Sequence, residues 1–118
     1  MRYMMMIKTA EGAPPSLELL GAIGKLSGEM TAAGILLQTG GLAPSERGAR
    51  VRVSGAKLGV TDGPFAETKE LIGGFAILKA SERPEAVEHA RRFMQVHADI
   101  LGPSYEGECE VREMYDAP

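Results

Sequence analysis

Arg2-Tyr3-Met4-Met5-Met6-Ile7-Lys8 is a short apolar run closed at each end by a cation. Its residues are apolar at odd and even positions alike. Side chains of a strand point alternately to the two faces of a sheet, so a run apolar at both parities suits a central strand covered on both sides. That reading decides the fold, because two separate covers must then be found for one sheet.

The first cover follows directly. Gly12-Ala13-Pro14-Pro15 breaks the strand, and Ser16 suits a helix N-cap. Leu19, Ile23, Leu26, Met30 and Ala33 recur at spacings of three and four until Gly34 ends the helix. Gly21, Gly24 and Gly28 share its opposite face. Each costs about 1 kcal/mol relative to Ala, so either that stability is forgone or another backbone comes close.

Ile35 to Thr39 reads as a second strand, followed by the turn-rich Gly40-Gly41-Leu42-Ala43-Pro44-Ser45. Arg50-Val51-Arg52-Val53-Ser54 alternates with period two, Gly55-Ala56 can turn the chain, and Lys57 to Thr61 can return antiparallel as a hairpin. Leu71 to Lys79 is another strand, whose Gly73-Gly74 pair can form a bulge or admit a close neighbour. Pro84 falls in the first turn of a second helix with the stripe Val87, Ala90, Met94, His97 and Leu101, ended by Gly102-Pro103. Cys109 to Tyr115 holds the last strand, with Cys109 and Val111 facing one way and Glu110 and Arg112 the other.

With the hairpin removed, the order strand, helix, strand, strand, helix, strand is the split β-α-β plan of a ferredoxin-like α+β sheet, both helices on one face. The second cover is then most economically another copy of the chain, applied by a two-fold contact. A homodimer is expected.

The chain has 118 residues, 44% apolar and 25% charged, which fits one domain over residues 1–118. Its net charge is −3, the sum of +3 over residues 1–59 (7 basic, 4 acidic) and −6 over residues 60–118 (6 basic, 12 acidic). Arg47, Arg50, Arg52 and Lys57 have no aromatic residues interleaved, so nucleic acid is not an expected partner. One cysteine, Cys109, gives no intrachain disulfide, and no Cys/His spacing suits zinc. Neither metal nor cofactor is expected. The apolar N-terminal run is too short for a secretory signal and no stretch approaches a membrane span, so a cytoplasmic protein without a membrane partner is expected.

Residues 62–70 spell Asp62-Gly63-Pro64-Phe65-Ala66-Glu67-Thr68-Lys69-Glu70, the signature string of the DGPF group of the YCII-related family. The methionine-rich first strand, Gly48-Ala49-Arg50-Val51-Arg52, Leu71-Ile72-Gly73-Gly74-Phe75 and Glu110-Val111-Arg112 are also similar to that group, so the resemblance spans essentially the whole chain. It implies a ferredoxin-like dimeric α/β barrel. Some relatives have a proposed His/Asp dyad with the His on the first helix; residues 16–33 contain no His. Some members of the group are encoded beside extracytoplasmic-function sigma factors, which implies a protein partner.

The residues themselves allow two uses each. Asp62 before Gly63-Pro64 suits an Asx turn, or a general base or ligand acceptor countered by Lys69. Phe65 suits an anchor onto the core, or a ligand-stacking ring. Glu67, Lys69 and Glu70 suit a solvated face, or a ligand or dimer contact. His97 lies in the apolar stripe, where a core imidazole competes with a catalytic base. His89, one turn after Glu85, suits a surface ion pair. Cys109 suits a small buried hydrophobe. Three functions follow as expectations: binding of a small polar ligand or a protein through Asp62, Phe65, Glu67 and Lys69; metal-independent acid–base catalysis through Asp62 or His97 on a small carbonyl or lactone, a substrate class that the resemblance implies; and, again as the resemblance implies, regulation of a sigma factor.

Overall fold

A computed structural model of the chain describes residues 1–10, 15–65 and 71–116. Its elements run β1 (Arg2–Thr9), α1 (Leu17–Ala32), β2 (Leu36–Gly41), a 3-10 turn (Ser45–Arg47), β3 (Ala49–Ser54), β4 (Lys57–Asp62), β5 (Leu71–Lys79), α2 (Arg83–Leu101) and β6 (Gly107–Glu113). Four strands form one antiparallel sheet in the order β2-β5-β1-β6, while β3 and β4 form a separate two-stranded sheet. β1 is therefore internal, as its composition requires, and β5 lies between the two strands that α1 connects.

The parity of β1 sorts the layers. Tyr3, Met5 and Ile7 are buried, while Met4, Met6 and Lys8 are half-buried. Met5 and Ile7 meet Leu26 and Met30 of α1, Ala90 of α2, and Ala76 and Leu78 of β5 in the main helix-covered cluster, while Tyr3 packs with Ala80 and Ala86 in a smaller one that Val111 joins to it. On the other face Met4 pairs with Ile77 and Met6 with Phe75. Among the described residues no element covers this second face, and the sheet stays open with β2 and β6 as its edges. A single chain thus does not close the expected barrel; two sheets are needed for one.

Helix ends follow their local chemistry. The Ser16 hydroxyl accepts from the Leu19 amide at 3.1 Å, and Gly34, at φ 74°, takes the left-handed conformation that ends α1. Gly21, Gly24 and Gly28 have no described atom within 4 Å of where a Cβ would stand, so no close backbone requires them. At the start of α2, Glu85 accepts from the Ser81 amide at 2.8 Å and hydroxyl at 2.6 Å. These bonds, assisted by the His89 charge, hold the Glu85 carboxyl below its usual range. A folded pKa below the unfolded one stabilises above about pH 4.3 and is lost as pH falls through the folded value. Ser81→Ala is expected to move the Glu85 titration, followed by carboxyl NMR, back up toward an ordinary glutamate; an unmoved curve would refute this capping role.

Two boundaries and one burial differ from expectation. β2 continues through Gly40-Gly41 instead of turning there, because Gly40 pairs with Phe75 and its missing side chain leaves room for the Phe75 ring, 2.9 Å from an added Cβ. β6 begins at Gly107 and ends at Glu113, with Tyr115 fully outside the sheet. Val87, in the apolar stripe of α2, is 40% exposed, whereas Ala86 beside it is buried. The expected bulge at Gly73 is present, since Ile7 pairs with Gly74 but Lys8 with Ile72.

Candidate functional site

The DGPF turn sits at the root of the hairpin. β3 and β4 pair from Ala49↔Asp62 to Ser54↔Lys57, turning at Gly55 and Ala56, both with positive φ. Alternation then puts Arg50, Arg52 and Thr61 on one face and Val51, Val53, Leu58 and Val60 on the other. The chain leaves β4 through a cis Gly63–Pro64 bond and meets the Ser45–Arg47 turn. The Gly63 amide donates to the Gly48 carbonyl at 2.9 Å, and the Phe65 amide to the Ser45 hydroxyl at 3.1 Å.

These bonds correct the expected Asx turn. Pro64 has no N–H to offer Asp62, and the Phe65 amide is taken by Ser45. Asp62 instead ends β4 as an exposed residue of the Ala49 pair. Phe65 anchors the turn, but against Gly48 and beneath Arg50, whose guanidinium carbon lies 3.9 Å from the ring centroid, rather than against the helix-covered core. Glu67 and Lys69 lie outside the described residues. A recess of 520 Å³ runs along β3, lined by Arg50, Val51, Arg52, Val53 and Thr61. Two guanidinium groups and a hydroxyl make it suited to an anionic or strongly polar group.

His97 does not join this site. It is buried in α2, its Nδ1 donating to the Phe93 carbonyl at 3.0 Å and its ring stacked on Tyr105 with centroids 5.7 Å apart. α2 packs on α1 and β6, while β4 packs on β3, so the structure does not bring Asp62 and His97 together. His89 makes the expected pair with Glu85, but from a more buried position than a surface pair implies. Its side chain is only 12% exposed, its Nε2 is 3.8 Å from Glu85, and neither ring nitrogen has a hydrogen bond among the described residues. Burial pushes the Cys109 thiol up to about 11, so it stays protonated and a poor nucleophile at neutral pH.

Two features escaped sequence reasoning. Ser45 holds Phe65 across twenty residues, a contact with no local pattern. Lys8 and Glu110 pair at 2.7 Å on the uncovered sheet face, and that bond and charge hold the Glu110 carboxyl below its usual range. The alternation of β6 already placed Glu110 away from the helices; its partner depends on strand order.

A four-stranded antiparallel sheet with two helices on one face, plus a separate two-stranded hairpin, defines a mixed α+β protein. Residues 1–103 match the YCII-related domain, and the chain belongs to that family. It is also 42% identical over 50 residues to an uncharacterized protein of Rhizobium meliloti (strain 1021), a match spanning 42% of this chain and 40% of that relative's length. Among the described residues no helix is long and apolar enough to cross a membrane.

Proposed function

We propose that the chain acts as a homodimeric, cytoplasmic YCII-related protein of the DGPF group that binds a small polar ligand beside the DGPF turn. The observation that carries this reading is the recess along β3, where Arg50 is held over Phe65 and Arg52 and Thr61 share its face. A short turn tied to a rigid root by two main-chain donors presents such groups without a large ordering cost. The string Asp62 to Glu70 supports the group, and the lone thiol of Cys109 suits a reducing compartment.

The dimer half of the proposal rests on the uncovered sheet face. Met4, Met6, Phe75 and Ile77 line it in two cross-strand pairs, with the Lys8–Glu110 pair beside them. Two such faces packed together would give the α/β barrel and remove this apolar surface from water.

A panel of small carboxylates and phosphates, screened by thermal shift, tests the ligand. At least one is expected to raise Tm in the wild-type protein, and Arg52→Ala to reduce that shift several-fold without altering Tm in its absence. An unchanged shift in both Arg52→Ala and Asp62→Ala would remove the site from this turn.

A further inference from the structure

We propose that the β3–β4 hairpin is an arm that seats its Val51, Val53, Leu58 and Val60 face in the groove between α2 and β6 of a second copy of the chain. The proposal rests on the homodimer reading above and adds a contact which that reading does not require. Val51 faces Val60 and Val53 faces Leu58 in directly opposed pairs, and all four are 68–74% exposed. One apolar and one cationic face is the pattern of a sheet with one side covered. Among the described residues, the extensive packing of either strand is with the other alone. A two-stranded hairpin by itself is marginal in water, so this face calls for a cover. Phe65 does not supply it, since it packs with Arg50 of the opposite face.

The groove has the complementary character. It measures 390 Å³, with Val87, Met94, Cys109 and Val111 among its walls and Arg83 and Arg91 on its rim, the latter 3.3 Å from Glu88. Alternation places Asp62 on the apolar face of the arm, at its root, where its carboxylate can meet the cationic rim. The arm follows the edge strand β2, whereas the groove borders the opposite edge strand β6. Face-to-face packing of two sheets by a two-fold axis can bring unlike edges together, while within one chain they stay apart. At the observed exposures each arm offers on the order of 400 Å², so two arms supply about 800 Å² toward the roughly 1,600 Å² that a stable interface buries, and the opposed sheet faces supply the rest.

The test is sedimentation equilibrium on the full chain, comparing wild type with Val53→Asp and Leu58→Thr, each checked by circular dichroism for an unchanged fold. A dimeric wild type weakened at least tenfold by both changes supports the arm. A dimer indifferent to both overturns the arm and leaves the homodimer reading standing; a monomeric wild type overturns the two together. Cross-linking locates the contact: Leu58→Cys combined with Val87→Cys, in a Cys109→Ser background, is expected to give a covalent dimer with a short bis-maleimide, whereas each single cysteine is not. A covalent dimer from Leu58→Cys alone would set arm against arm and overturn the groove assignment, as would no cross-link from the pair.

Discussion

Gly63→Ala is expected to undock the DGPF turn from its root, at a cost of about 2–3 kcal/mol confined to that region. A Cβ at residue 63 would overlap the Ser45 carbonyl oxygen and stand 2.6 Å from its carbonyl carbon and 3.2 Å from the Glu46 nitrogen. All three are backbone atoms, so no side-chain rotation relieves the clash. They belong to a turn closed by Arg47 N–H to Pro44 carbonyl at 3.0 Å and Gly48 N–H to Ser45 carbonyl at 2.9 Å. The partner that gives way is the chain after Asp62, with loss of the Gly63 to Gly48 and Phe65 to Ser45 bonds at about 1 kcal/mol each, and of the Arg50–Phe65 contact at roughly 0.5–1. Amide exchange should accelerate at Gly63 and Phe65 while Met5 and Leu78 keep their protection. Gly59→Ala is the control, because nothing described lies within 4 Å of its Cβ position. Equal exchange in the two variants would show that the turn does not dock on Ser45.

Leu78→Ala is expected to cost about 3–4 kcal/mol and to lower Tm by roughly 10–20 °C. Leu78 has no exposed surface, pairs with both Tyr3 and Leu36, and belongs to the cluster of Met5, Leu26 and Met30. Its loss leaves a cavity at the crossing of three strands and two helices, where ladder bonds on both sides keep β5 from collapsing inward. Against a total stability of about 5–15 kcal/mol, that is a large share. Leu17→Ala removes the same atoms from a residue that is 88% exposed and should stay within about 0.5 kcal/mol of wild type. Similar Tm values for the two variants would refute the placement of the core.

Much of the site was legible as pattern but not as contact. The alternation from Arg50 to Thr61 was enough to locate a hairpin and to set two arginines on one face. The expectation that Asp62 would close its own turn failed because it weighed only neighbours in the chain. The competing acceptor for the Phe65 amide was Ser45, twenty residues away. The His89–Glu85 pair was legible and the burial of His89 was not, since a helix position tells which residues flank an imidazole one turn away, and not what packs over it. The extension of β2 through Gly40-Gly41 shows a turn signal overridden by pairing, since Gly40 serves there to make room for the ring of Phe75.

By itself the sequence determined the element order, the helix stops at Gly34 and Gly102, the parity of β1 and thus the need for two covers, because these follow from periodicity and backbone sterics within a few residues. Only the tertiary structure decided that the hairpin stands apart as its own sheet, that the DGPF turn is tied to Ser45 and Gly48, and that His97 and Asp62 stay separate. Those outcomes depend on which distant donor, acceptor or apolar face arrives first in space, and no local spacing encodes that.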